Sequence, residues 1–90
     1  MMTYDKTVDA SIIDVREGRI EVTLPLHLDG VDLNLDLDSE GRVISLEILG
    51  ASKLFELIAR YGGELALPER VEDYDGFGVL ELFPKVKVGA

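Results

Sequence analysis

Val31-Asp32-Leu33-Asn34-Leu35-Asp36-Leu37 is the stretch on which the fold turns. Val31, Leu33, Leu35 and Leu37 point one way, and Asp32, Asn34 and Asp36 point the other. A period of two is that of a strand with one buried and one wet face. Downstream, the turn Asp38-Ser39-Glu40-Gly41 ends in a glycine free to take positive φ. Val43 to Leu49 then returns, with Ile44, Leu46 and Ile48 inward and Ser45 and Glu47 outward. Upstream, Ile20, Val22, Leu24 and Leu26 alternate with Glu21, Thr23 and Pro25. Pro25 lacks a ladder donor, so this strand lies on an edge or Pro25 near a strand end. The turn His27-Leu28-Asp29-Gly30 links it to Val31. A first strand, Asp9–Val15, carries Ile12, Ile13 and Val15 and ends at Arg16-Glu17-Gly18-Arg19. Short connections join the strands Asp9–Val15, Arg19–Leu26, Val31–Leu37 and Val43–Leu49, which predicts an antiparallel four-stranded meander.

The period changes after Gly50. Leu54, Leu57, Ile58 and Tyr61 form an apolar stripe at spacings of three and four, predicting one helix within Ala51–Tyr61. Ser52 or a neighbour can cap its start, and Gly62-Gly63 stops it. The helix is expected to cover one sheet face. Beyond it come Pro68, the acidic run Glu72-Asp73-Tyr74-Asp75 and the turn Gly76-Phe77-Gly78. A last strand is expected at Val79–Phe83, ending at Pro84. Lys85-Val86-Lys87-Val88 alternates again, its lysines suited to protecting an edge. The expectation is therefore one α+β domain over residues 1–90. Residues 1–61 form a sheet-plus-helix unit, and residues 62–90 a C-terminal extension with a loop and a strand.

The 90 residues are 47% hydrophobic, too many for a disordered chain. A chain this size buries only roughly 60–65% of its unfolded surface, so its core is thin and a partner surface would help it. Nine Lys plus Arg stand against 18 Asp plus Glu, a net charge of −9. That balance repels phosphate backbones and anionic lipid, which argues against nucleic acid and membrane as partners. With no Cys there is no disulfide or thiolate chemistry. That, with no N-terminal apolar run, points to the cytoplasm. The longest apolar stretches, about five residues, fall far short of the ~20 a spanning helix needs.

Several short blocks recur in an order that resembles a known family. Tyr4-Asp5 and Asp9-Ala10 precede a short strand and a Glu-Gly turn. Asp29-Gly30-Val31 follows, then Leu35-Asp36-Leu37-Asp38-Ser39-Glu40-Gly41-Arg42-Val43, Leu46-Glu47-Ile48-Leu49 and Ala51-Ser52-Lys53. Together they resemble the small prokaryotic family catalogued as domain of unknown function 2283, over roughly Thr3 to Phe55. The chain departs from it at Gly50, where an acidic residue is usual, and at Ile12, where an aromatic is common. The resemblance implies a fold and a cytoplasmic setting, and no catalytic residue to carry over.

One pattern resembles a calcium loop. Asp36, Asp38, Glu40, Gly41 and Glu47 stand at positions 1, 3, 5, 6 and 12 of the EF-hand spacing. An EF-hand loop joins two helices, whereas both flanks here alternate with period two. The expectation is a solvated hairpin without a metal, Asp36, Asp38 and Glu47 being the candidate ligands if one binds. Asp32, Asn34, Asp36 and Glu47 also share a face, yet no nucleophile, oxyanion donor or phosphate clamp is in view. His27, the only His, cannot make a zinc site alone. No serine has a nucleophile context and no Gly-rich phosphate loop occurs, so no catalytic residue and no cofactor is expected.

Tyr74, Phe77, Leu80, Leu82 and Phe83 form an apolar C-terminal group that is either core or interface. Phe77, Leu80, Leu82 and Phe83 are the interface candidates. One helix covers one sheet face, so a second copy in a two-fold dimer is the natural cover for the other. These features favour a non-enzymatic binding or assembly module acting through protein–protein contacts. The alternatives are a carboxylate-based metal-binding protein or metal-dependent enzyme, and an antitoxin-like partner of a basic toxin, whose acidity would imitate RNA.

Overall fold

The computed structural model of the chain describes residues 1–83. Among these, the strands β1 (Met2–Asp5), β2 (Ala10–Asp14), β3 (Val22–Leu28), β4 (Val31–Leu37) and β5 (Val43–Leu49) are followed by the helix α1 (Ala51–Tyr61). The strands form one antiparallel sheet in the order β1-β2-β5-β4-β3. The α+β class, the antiparallel sheet and the single helix agree with the reading from periodicity.

The four-strand meander is corrected. β3, β4 and β5 are joined as successive hairpins, β1 and β2 make a separate hairpin, and β2 pairs with β5 instead of β3. This is a Greek-key arrangement, the fourth strand returning beside the far end of a three-strand meander. Residues 15–21 are therefore a crossing and not a hairpin turn. The N–H groups of Val15 and Arg16 donate to the Ile44 carbonyl, and that of Glu21 donates to Leu37. Arg16 Nε donates to the Val43 carbonyl at 3.0 Å. The crossing lies so close to Ile44 that a Cβ on Gly18 would come within 2.7 Å of its Cδ1. Ile20, expected inside a strand, is exposed on this crossing. The strand β1, which adds a fifth member at the sheet edge, was not expected, since Met2-Thr3-Tyr4-Asp5 has no clean alternation.

Pro25 sits in the middle of β3, an edge strand, as a residue without a ladder donor requires. At the β4–β5 junction the register shifts: Leu37 faces Val43 while Asp36 faces Ser45. Ile44 is the extra residue of this bulge, and Val43 and Ile44 are both buried.

The inner face holds the core. Val31, Leu33, Leu35, Leu37, Leu46 and Ile48 are buried there with Ala51, Leu54 and Leu57 of α1. The helix passes over β4. Of its expected stripe, Tyr61 is exposed, at the C-terminal end where Gly62 and Gly63 take φ of 70° and 122°. The Gly62 N–H donates to Ile58 and closes the helix.

The expected C-terminal strand Val79–Phe83 is also corrected: Val79–Leu82 is one 3₁₀ turn lying against β3. Glu81 carboxylate accepts from the Gly78 N–H, and the Glu81 N–H donates to the Gly78 carbonyl. A local bond over three residues thus outcompetes a ladder. Leu82 and Phe83 enter the core, at 0% and 2% exposure. Pro84 and the Lys85-Val86-Lys87-Val88 alternation lie outside the described residues.

Candidate functional site

The outward positions of the strands form a second face that no element among the described residues covers. Register places them in three rows across the sheet. Thr23, Asp36, Ser45 and Asp14 make the first row. Pro25, Asn34, Glu47, Ile12 and Thr3 make the second. His27, Asp32, Leu49, Ala10 and Asp5 make the third. Asp5, Asp14, Asp32, Asp36 and Glu47 thus share one face, and no Lys or Arg occupies an outward strand position.

Cross-strand hydrogen bonds hold these side chains. Thr23 and Ser45 hydroxyls donate to opposite oxygens of Asp36 at 2.6 and 2.7 Å. The Asn34 amide donates to Glu47 at 3.0 Å, and His27 Nδ1 pairs with Asp32 at 2.6 Å. Such direct cross-strand pairs orient polar groups at the expense of side-chain freedom. Ile12 and Leu49, diagonal neighbours on β2 and β5, leave an exposed apolar spot between the acids.

The calcium-loop residues are brought to one hairpin but not to one point. Asp38 is buried at the turn, its carboxylate held by the turn's own backbone and by Arg42. Its Oδ1 accepts from the Glu40 and Arg42 N–H groups, each at 2.9 Å, and its Oδ2 from Arg42 Nε at 2.8 Å. Burial alone would raise the Asp38 carboxyl, but these donors and the Arg42 charge outweigh it and hold it below the ordinary range. Asp36 and Glu47 sit on adjacent strands, each with its own partner. Among the described residues no group of three or more His, Asp or Glu converges as metal ligands would.

Gly41 closes this turn with φ of +79°. Its missing side chain admits the chain at Glu69–Val71. Val43 N–H donates to the Glu69 carbonyl, and Val71 N–H donates to that of Gly41. This docking shapes an open cleft of about 380 Å³ lined by Pro68, Arg70, Val71, Asp73, Phe77 and Glu81, among others. Of the interface candidates, half-buried Phe77 lines that cleft and Leu80 is exposed, while Leu82 and Phe83 are core residues.

A second node was not legible in the sequence. Asp9, at φ of 51° in the β1–β2 turn, reaches the start of α1. Its carboxylate accepts from the Ser52 N–H at 3.0 Å and the Ser52 hydroxyl at 2.7 Å, and from the Tyr4 hydroxyl at 2.7 Å. Its carbonyl accepts from the N–H groups of Gly50 and Ala51. The expected cap from Ser52 is thus replaced by a residue distant in sequence. Gly50, left-handed at φ of 84°, has no side chain to offer. The Ser52 and Tyr4 hydrogen bonds hold the Asp9 carboxyl below its ordinary value, and the bond to Asp9 raises the Tyr4 hydroxyl. The signal in the sequence was Asp9-Ala10 and Ala51-Ser52, two blocks whose contact no local rule connects.

No helix among the described residues is long and apolar enough to cross a membrane. No curated protein and no solved structure matches the chain. The model of one family, described as a protein of unknown function, DUF2283, matches residues 1–52, which run from β1 through β5 to the Asp9–Ser52 contact. That match spans more than half of the chain, and the chain belongs to the DUF2283 family.

Proposed function

We propose that the chain is a cytoplasmic binding and assembly module that acts through protein–protein contacts, its outward sheet face docking a basic partner surface. The observation that carries this is the face itself: covered by no element among the described residues, acidic in every row and without Lys or Arg at a described strand position. Complementary charge speeds encounter and rejects wrong partners, and Ile12 with Leu49 supplies an apolar centre inside the charged ring. An antitoxin-like role against a basic toxin is one form of this reading. Self-assembly into a two-fold dimer is compatible with it and leaves the outward face open.

The test is titration with an amphipathic Lys/Arg-rich peptide at two salt concentrations. Binding is expected to weaken with salt. It is expected to fall about tenfold in the triple variant Asp14→Asn, Asp32→Asn, Glu47→Gln, a loss of about 1.4 kcal/mol. A control triple away from this face, Glu56→Gln, Glu72→Gln, Asp75→Asn, changes net charge equally and is expected to bind as the parent does. Equal weakening of both triples would show that only net charge acts, and the reading would fail.

A further inference from the structure

We infer that the β1 edge is a self-pairing surface, through which two copies of the chain join their sheets about a two-fold axis at Thr3. The two sheet edges are built differently. The β3 edge is blocked by Pro25 at its centre. The β1 edge has neither proline nor lysine, its four residues are all exposed, and no strand among the described residues pairs with its outer side.

The hydrogen-bond phase of β1 shows what this edge offers. Met1 and Asp14 exchange both backbone bonds, Asp14 N–H donating to Met1 at 2.9 Å and Met1 nitrogen donating to Asp14 at 3.0 Å. Antiparallel pairs alternate between bonded and non-bonded types. Thr3 therefore turns its N–H and carbonyl toward Ile12 of β2, and Met2 and Tyr4 turn theirs outward. A second β1, antiparallel and centred on Thr3, sets Met2 against Tyr4 of the other copy, and Tyr4 against Met2. Each outward donor then meets an outward acceptor.

The side chains fit the same register. Met2 and Tyr4 lie on the helix side of the sheet, opposite Ile13 and Ser11, and are 55% and 49% exposed. Phe55, 43% exposed, follows Ser52 by three residues and so shares the flank of α1 that Asp9 and Tyr4 hold. The axis thus brings Met2, Tyr4 and Phe55 of each copy together on one side. On the other side the nearest acids, the two Asp5 residues, stand two positions from the axis in opposite directions. At about 3.4 Å per residue they are roughly 14 Å apart, beyond the ~8 Å screening length. A half-exposed aromatic or Met contributes on the order of 100 Å², so these six side chains bury roughly 600 Å², and the paired β1 backbones bring the contact to about 800 Å² in total. That is the size of a weak dimer, with dissociation in the micromolar range. A strand from a different protein would need to supply this pattern itself, whereas a second copy already carries it.

The test uses the full chain, which has no cysteine of its own. In the inferred dimer Thr3 faces Thr3 as a non-bonded pair, about 4.5 Å between Cα atoms, within the range a disulfide spans. Thr3→Cys under mild oxidation is expected to give a disulfide-linked dimer, and Val8→Cys, exposed but away from the axis, is not. Sedimentation equilibrium at about 100 μM is expected to give twice the 9.9 kDa chain mass. Met2→Lys is expected to return the monomer mass with an unchanged circular dichroism spectrum. A parent monomer at that concentration, or equal crosslinking of Thr3→Cys and Val8→Cys, overturns the inference. Thr3 lies at the rim of the outward face, and the peptide titration, read on the parent chain and on its Asp14, Asp32 and Glu47 variant, is decided independently of either result.

Discussion

Gly41→Ala is expected to be far more destabilising than Gly30→Ala, although both glycines occupy left-handed turns at φ of +79° and +84°. A Cβ in that region costs roughly 1–2 kcal/mol, partly offset by the lower entropy of the unfolded chain. At Gly30 nothing lies within 4 Å of the added carbon, so a net loss of about 1 kcal/mol is expected. At Gly41 the added carbon would lie 2.5 Å from the Val71 carbonyl oxygen, a backbone atom that moves only if the Glu69–Val71 segment withdraws. Withdrawal breaks the Val43-to-Glu69 and Val71-to-Gly41 bonds, at about 1 kcal/mol each. The total is roughly 3 kcal/mol, about 2 more than at Gly30. Urea unfolding followed by circular dichroism measures the difference. With a slope near ~1 kcal/mol per molar, the two midpoints should differ by about 2 M. Equal midpoints would refute the argument that Gly41 exists to admit the C-terminal segment.

Phe83→Ala should cost about 3–5 kcal/mol in the same assay, since its ring is in the core, while Leu80→Ala should stay within ~0.5 kcal/mol; comparable losses would reverse the assignment of core and surface. Asp9 and Asp38 have folded values below the ordinary carboxyl value, so their contribution is present above about pH 4 and is lost as pH falls through the folded value. Acid titration of stability should therefore show a flatter limb below that pH for Asp38→Asn, and an unchanged limb would contradict it. Calorimetric titration with Ca²⁺ or Mg²⁺ should show no micromolar binding; such binding, abolished by Asp36→Ala or Asp38→Ala, would restore the ion-loop reading.

The parts of the fold legible in the sequence are those where one face is buried and local spacing decides. β4, β5 and α1 announce themselves because a period of two or of three-and-four maps directly onto a dry side and a wet side. The longest blocks of the family resemblance, Leu35–Val43 and Leu46–Leu49, fall in β4, β5 and the turn between them. What local spacing cannot encode is which strand lies beside which. Arg16-Glu17-Gly18-Arg19 has the composition of a hairpin turn, and only the bonds to Ile44 and Val43 make it a crossing. β1 was hidden because an exposed edge strand need not alternate. The C-terminal group failed differently: Val79–Phe83 has strand composition, but the Glu81 bond to Gly78 coils it and sends Leu82 and Phe83 inward. The outward face was partly legible, since Asp32, Asn34 and Asp36 follow from alternation. Its extension through Asp14 and Asp5 needed the order β1-β2-β5-β4-β3.

The most direct test of the acidic docking face is an amide chemical-shift map of the chain titrated with the basic peptide. Salt-sensitive shifts are expected on β2, β4 and β5, centred on Ile12, Asp32, Asn34 and Glu47, with α1 and the Pro68–Phe77 cleft undisturbed. Shifts centred on that cleft or on α1, with the sheet silent, would contradict it.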